Sequence, residues 1–484
     1  YASLNGVGVV DHDVPDADDF VLSLEPSGPD WHLSSVVYEI FPDRFATTGA
    51  GGDPPAWAVS RDWHDLPTGR GPETPYEWFG GDLPGVEAHL DHIEQLGANV
   101  VYLTPIFPAG STHRYDSTTF DRIDPLLGGD GALVSLTRAA HARGIRVVSD
   151  LTTNHTGDKH EWFTAGEREL YLFDDDGDYE AWWGIKTLPK LNWRSAELRK
   201  RLQSVARKWL EPPYSLDGWR VDVANMSGRV ADTDVNAAVA PTLREVLHDD
   251  SLLVAEHFHD FRPDFRGWHG VMNYAGFSKP VWTWLRGAFE TEYFGLPVTM
   301  PRLGGAATVA TMRAFRAGVP WSVVLHSWTI LDSHDTPRFR TLAGSDERQL
   351  VGVGLQMTTP GVPMIFAGDE LGLEGAWGED GRRTMPWGAA RPRLFDEYRR
   401  LIALRRAHEA LARGGLRYAY VDEDVIAYVR ETRDERLLCL ASRAPHEPIR
   451  LPLQSVETLY GDDPDETLFP ADGPSFHVWR LTNG

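Results

Sequence analysis

Short apolar runs alternate with amphipathic helical stretches from residue 35 to residue 412, and this rhythm constrains the fold more than any other feature. Eight runs read as strands: 36–41, 99–104, 145–150, 216–222, 252–256, 270–274, 323–328 with 331–332, and 362–367. Between the first two, Asp82-Leu83-Pro84-Gly85 opens a helix whose Val86, Leu90, Ile93 and Leu96 fall at offsets of three and four, and Gly97 closes it. Residues 131–143 form the next helix, ended by Gly144. Strands apolar on both faces belong in a parallel sheet covered by helices. Eight of them favour a closed (β/α)8 TIM barrel over an open sheet.

Two segments break the rhythm. Residues 155–195 follow the third strand as an inserted subdomain, with an acidic patch at Asp174-Asp175-Asp176-Gly177-Asp178 and the aromatics Trp182, Trp183 and Trp193. An insertion of this size on a barrel's catalytic face is expected to form a substrate wall. After a helix around 394–412, residues 413–484 read as a small C-terminal antiparallel β-sandwich domain with strands at 425–429 and 436–440. The barrel is then expected over 31–154 and 196–412. Residues 1–30 read as an arm or the last strands of a β domain, with strand-like stretches at 1–6 and 19–24 around an acidic turn at 11–16. A start at Tyr1 rather than Met suggests processing or truncation.

A net charge of −24 argues against nucleic acid or an anionic membrane as partner. No apolar run reaches the ~18 residues of a membrane span. Cys439 is the only cysteine, so no internal disulfide or Cys-rich metal site can form, which fits the cytoplasm, with secretion as the alternative. The 18 Trp, 20 Phe and 15 Tyr suit either core packing or stacking on sugar faces.

The chemistry concentrates in Gly218-Trp219-Arg220-Val221-Asp222, where Arg220 and Asp222 share one face of a strand. Alone, the pair reads equally as a structural ion pair or as a carboxylate kept ionised for nucleophilic attack. Asp150, Glu256 and His334-Asp335 also sit at or just past strand ends, the face that carries active sites in such barrels. A purely structural explanation would need four loops to place polar groups there independently.

Taken in order, Asp150-Leu151-Thr152-Thr153-Asn154-His155, Gly218-Trp219-Arg220-Val221-Asp222, Val254-Ala255-Glu256 and Ser333-His334-Asp335 resemble the four motifs of the α-amylase family, glycoside hydrolase family 13. Gly80-Gly81-Asp82-Leu83, Leu103-Thr104-Pro105-Ile106-Phe107 and Gly361-Val362-Pro363-Met364-Ile365-Phe366-Ala367-Gly368 extend the likeness. Leu188-Pro189-Lys190-Leu191-Asn192 is similar to a motif of the neopullulanase and cyclomaltodextrinase branch.

The resemblance implies Asp222 as nucleophile, Glu256 as general acid/base and Asp335 as the third carboxylate, in a retaining mechanism with a covalent glycosyl-Asp intermediate. It places Tyr115, in His113-Arg114-Tyr115-Asp116, under the sugar being cleaved, and His155 and His334 on its hydroxyls. Arg382 is expected beside Asp335, with Arg383 as a one-residue alternative. Arg220 would keep Asp222 charged, and Asn225, Phe258, His259 and their neighbours would line the leaving-group side. No cofactor is required on this reading. Relatives coordinate calcium after the first strand, but Ala46-Thr47-Thr48-Gly49-Ala50-Gly51-Gly52-Asp53 is poor in oxygen side chains, so calcium is disfavoured. The branch's dimer depends on an N-terminal domain of which only the end is read here, which leaves a homodimer open. The expected activity is hydrolysis of α-1,4, with α-1,6 as an option, in linear, cyclic or branched α-gluco-oligosaccharides. The alternatives are an exo-acting α-glucosidase or transglycosidase and, outside enzymes, an inactive family member serving as a binding subunit.

Overall fold

The computed structural model describes residues 3–5, 8–10, 21, 23–24, 27–291 and 298–482. Eight parallel strands close into a barrel in sequence order: β1 (Val37–Ile40), β2 (Val100–Leu103), β3 (Arg146–Thr152), β4 (Gly218–Asp222), β5 (Leu252–His257), β6 (Gly270–Asn273), β7 (Trp328–Ile330) and β8 (Val362–Phe366). On β4 the period of two sorts residues cleanly. Trp219 turns outward and donates from Nε1 to the Ala206 carbonyl of helix Ala196–Leu210, while Arg220 turns into the barrel.

The seventh run differs from its expectation. Trp321–His326 is a helix, and β7 begins at Trp328, which pairs with Met272 on one side and Val362 on the other. Pro320 precedes the helix with φ −57°, and a short apolar run alone does not distinguish a buried helix from a strand. The helix after β1 is divided. Asp82 caps Leu83–Ala88 by accepting from Gly85 N at 2.7 Å, and a second helix, Leu90–Leu96, ends at Gly97. Gly97 has φ 98°, and a Cβ there would meet Ile402 at 2.9 Å, so glycine is needed on both counts.

Within residues 155–195 bridges pair His155 with Lys190 and Tyr171 with Leu191, and the Leu191 N–H donates to the Asn154 carbonyl just past β3 at 3.0 Å. Beyond the barrel, β9 (Gly415–Val421), β10 (Val425–Glu431), β11 (Arg436–Ser442), β12 (Ser455–Tyr460) and β13 (Ser475–Leu481) form an antiparallel sheet in the order β9-β10-β11-β13-β12. A second layer, Ile449–Arg450 paired with Leu468–Phe469, covers a small core that includes Val429, Leu438, Phe469 and Trp479. At the boundary with the barrel, Arg405 and Arg430 are buried and both donate to the Leu411 carbonyl.

At the N-terminus Ser3–Asn5 pairs with Gly8–Val10. The expected turn at 11–16 and residues 19, 20 and 22 of the expected strand at 19–24 lie outside the described residues. Among the described residues, no helix is long and apolar enough to cross a membrane.

Candidate active site

Strand register brings the key side chains level. Ala255 pairs with Val221 on one side of β4 and Asp150 with Arg220 on the other, so Glu256 lies beside Asp222 and Asp150 beside Arg220. Arg220, fully buried, is shared among all three carboxyl groups. Its Nη1 donates to Asp150 Oδ2 at 2.7 Å and Asp222 Oδ1 at 3.1 Å, and Nη2 forms an ion pair with Glu256 Oε2 at 3.1 Å. Nε donates to Met272 Sδ at 3.3 Å.

Arg220 lowers the pKa of Asp222 as expected, but, shared in this way, it does not hold that carboxyl in the ordinary range. Burial pushes Asp222 well above the usual carboxylate range, Glu256 adds to the rise, and Arg220 opposes it without winning. Burial raises Glu256 as well, again against Arg220. Two close carboxyl groups, both raised, titrate as a coupled pair, and when that pair holds a single proton it offers one acid and one base.

The chain turns sharply after Asp222. Val223 has φ 42°, an unfavourable conformation for a β-branched residue, and its N–H donates to Glu256 Oε2 at 2.7 Å. The turn links the two carboxyl groups through one backbone amide and swings Asn225 and Met226 to the rim. Asp222 Oδ2 has no hydrogen-bond partner among the described residues.

Tyr115 lies with its ring stacked on His334, centroids 5.6 Å apart, and its hydroxyl donates to Asp150 Oδ2 at 3.0 Å. His113 stacks on the other side of Tyr115 at 5.8 Å, and burial pushes it down to about 3. Burial also pushes His155 down to about 3, so it is a neutral ring, and its Nε2 has no partner among the described residues. That nitrogen is available to a ligand. His334 differs from its expected place on a sugar hydroxyl: it is fully buried, with Nδ1 2.5 Å from Glu39 Oε1 and Nε2 2.6 Å from the Tyr115 hydroxyl.

Asp335 sits at the mouth of the barrel beside His334 Nε2, at 3.2 Å, and Arg382 Nη2, at 3.0 Å. Burial acts to raise its pKa, but His334 and Arg382 outweigh it and hold it below the ordinary value. Arg383 turns away to Asp380, which decides between the two neighbouring arginines.

A cavity of about 430 Å³ opens over these groups. Tyr115, His155, Asp222, Glu256 and Asp335 form its floor, and Asn225, Met226, Phe258 and His259 form one side. Phe258 is braced by a stacked Tyr274 at 4.2 Å, in a π-helical turn that follows β6. Trp182, Trp183 and Leu188 from the inserted segment also line the cavity. The two indoles stack at 4.9 Å, and Trp183, with φ 51°, is 65% exposed.

Of the residues expected from sequence, Arg220, His113, His334 and Arg382 lie behind this lining rather than on it, supporting it through the contacts above. Glu39 was not foreseen, because its partner is 295 residues away. Nor was Lys190, which donates to Asn154 Oδ1 at 2.8 Å and the Met226 carbonyl at 3.2 Å and so ties the insertion to the rim. Its place in Leu188-Pro189-Lys190-Leu191-Asn192 was the available signal.

The family model for the alpha amylase catalytic domain matches residues 39–183 and 170–385. The chain belongs to the α-amylase family. It is a glycoside hydrolase of that family, and similar proteins include members of the neopullulanase and cyclomaltodextrinase branch. Neopullulanase 2 of Thermoactinomyces vulgaris is 33% identical over 439 residues, covering 84% of this chain and 69% of that protein. Cyclomaltodextrinase of Geobacillus thermopakistaniensis is 31% identical over 88% of this chain and 71% of its own. Among solved structures, the cyclic α-maltosyl-(1→6)-maltose hydrolase of Arthrobacter globiformis superposes with a TM-score of 0.75 at 32% identity, over 87% of this chain and 93% of the other. The α-amylase family membership thus rests on a barrel, a site and relatives that agree.

Proposed function

We propose that the chain is a retaining α-glucoside hydrolase of the neopullulanase and cyclomaltodextrinase branch, acting on short linear, cyclic or branched α-gluco-oligosaccharides. In this reading Glu256 protonates the departing glycosidic oxygen while Asp222 attacks the anomeric carbon and forms a glycosyl ester. The leaving sugar departs from the Phe258 side. Glu256, now a carboxylate, takes a proton from water, which attacks the same carbon and frees Asp222. Asp335 and the neutral His155 hold hydroxyls of the sugar being cleaved, and Tyr115 supports its ring.

The observation that carries this reading is the placement of Asp222 and Glu256, level on neighbouring strands and bound to one guanidinium. Retaining glycosidases keep their two carboxyl groups only about 5 to 5.5 Å apart, whereas inverting ones leave room for a water between them. The names of two relatives, a cyclomaltodextrinase and a cyclic α-maltosyl-(1→6)-maltose hydrolase, point to cyclic oligosaccharides rather than starch. The reaction as written needs no cofactor. Asp82 Oδ2, in the region where a calcium would bind, already accepts from Thr48 N, Thr48 Oγ1 and Ala50 N.

The test is a product profile for maltotriose, maltohexaose, cyclodextrins, the cyclic maltosyl tetrasaccharide, pullulan and starch, with the first-formed anomer followed by proton NMR. Preference for small or cyclic substrates with α-configured products in EDTA supports the reading. β-configured products overturn the mechanism, and rapid random cleavage of starch overturns the substrate class.

A further inference from the structure

The contacts of His334 call for hydrogens on both ring nitrogens. Asp335 Oδ2, 3.2 Å from Nε2, is a carboxylate oxygen that only accepts. The Tyr115 hydroxyl, 2.6 Å from the same nitrogen, can accept there while donating to Asp150 Oδ2 at 3.0 Å. On the other edge of the ring, Nδ1 faces Glu39 Oε1 at 2.5 Å. A carboxylate there needs a second hydrogen on the ring.

We propose that Glu39 is a positioning residue that holds His334 as an imidazolium, whose charge in turn keeps Asp335 ionised and Tyr115 oriented beneath the substrate. Glu39 touches neither the cavity nor any group proposed to react. It is fully buried on β1, and its other oxygen, Oε2, has no hydrogen-bond partner among the described residues. A buried carboxylate is tolerated when a cation pairs with it, and His334 is the ring that meets it. The remaining charged and titratable groups around His334 pull in both directions. Asp335 on its own loop and Asp150 on β3 favour the cation, while Arg382 after β8 and Arg220 on β4 disfavour it; Tyr115 and His113 lie along the stack. Burial acts to lower the pKa of His334, but Asp335 and Glu39 win, leaving it above the ordinary histidine value.

The sign follows. A raised histidine pKa means that the charged form, and the activity that depends on it, is present at lower pH and lost as pH rises through the raised value. Glu39→Gln removes one of the two carboxylates that raise it but keeps an oxygen that can accept from Nδ1. The inference rests on the hydrolase reading for its activity readout and is independent of it for its spectroscopic one.

The experiment pairs the two. The pH dependence of kcat/KM on maltotriose is compared for the wild type, Glu39→Gln and Glu39→Asp, and imidazole nitrogen shifts are recorded at pH 7.5 on histidine-labelled wild-type protein, with His334→Asn identifying the His334 signals. The expected result is two protonated nitrogens on His334, and an alkaline limb that moves down by about one pH unit in Glu39→Gln but stays in Glu39→Asp. A neutral His334 in the wild type overturns the proposal even if Glu39→Gln does not fold. So does an unchanged alkaline limb with a uniform loss of rate, which marks a structural role only. A wild type that cleaves no α-glucoside sinks the hydrolase reading, while the nitrogen shifts still decide the charge on His334.

Discussion

Arg382 Nη2 lies 3.0 Å from Asp335 Oδ1, and its Nε donates to the backbone carbonyl of His334 at 2.7 Å. One guanidinium thus grips both the carboxylate and the turn that presents it. Arg382→Ala is expected to cut kcat/KM on maltotriose by about a hundredfold, the scale of losing a charge-assisted hydrogen bond to a group that orients substrate. Arg383→Ala, which removes a pair with Asp380, is expected to stay within about twofold. Steady-state kinetics on the two variants side by side checks this.

Glu256 is assigned to proton donation, a role that matters only when the leaving group needs a proton. Glu256→Gln is expected to lose about 10²- to 10⁴-fold on maltotriose. On α-maltosyl fluoride, whose leaving group departs as fluoride ion, glycosylation needs no acid and the loss should be far smaller. Equal losses on both substrates would remove the assignment.

Asp222 carries a raised pKa in the folded state. The folded protein therefore holds that proton more tightly than the unfolded chain. Its stabilising effect is complete below the unfolded value near about 3.9 and is lost as pH rises through the folded one. At neutral pH, ionising this buried pair costs stability. Asp222→Asn should abolish turnover yet melt about 1 to 3 °C higher than the wild type at pH 7.5, with the gap closing near pH 4. Calorimetry at the two pH values measures it.

Trp183 is 65% exposed, strained at φ 51° and set at the cavity rim on a stacked neighbour. Lys190 holds the Met226 carbonyl and lies 5.3 Å from the Trp182 ring, so the indole pair faces the leaving-group side. Trp183→Ala is expected to lower kcat/KM on maltotriose about five- to tenfold, the scale of one ring-stacking contact, and to leave α-maltosyl fluoride unchanged.

The barrel was legible because each strand is a short apolar run and several end in a polar group at the same face. The failure at residues 323–328 has a physical reason: Val323, Val324 and Leu325 would suit either a buried strand or a buried helix, and only the neighbouring strands choose. Arg220 and Asp222 were readable as partners because period-two spacing is local. That Arg220 also serves Asp150 and Glu256 depends on register between strands, which no stretch of sequence contains. The same holds for Glu39 and His334, which meet only because closing the barrel brings distant parts of the chain together.

Arg405 and Arg430 carry a consequence for how the molecule comes apart. Neither has a carboxylate partner among the described residues. Arg405, on the last long barrel helix, donates to Met357, Gly361 and Leu33 carbonyls, and Arg430, on β10, donates to Thr358, Leu411 and Gly414 carbonyls. Burial pushes them down to about 9 and about 10, respectively. The terminal sheet therefore supplies a donor to the carbonyl at the end of a barrel helix, and a chain cut at residue 413 would take Arg430 from the Thr358 carbonyl and leave Leu411 with Arg405 alone. Barrel and sheet are therefore expected to melt together, in a single calorimetric transition.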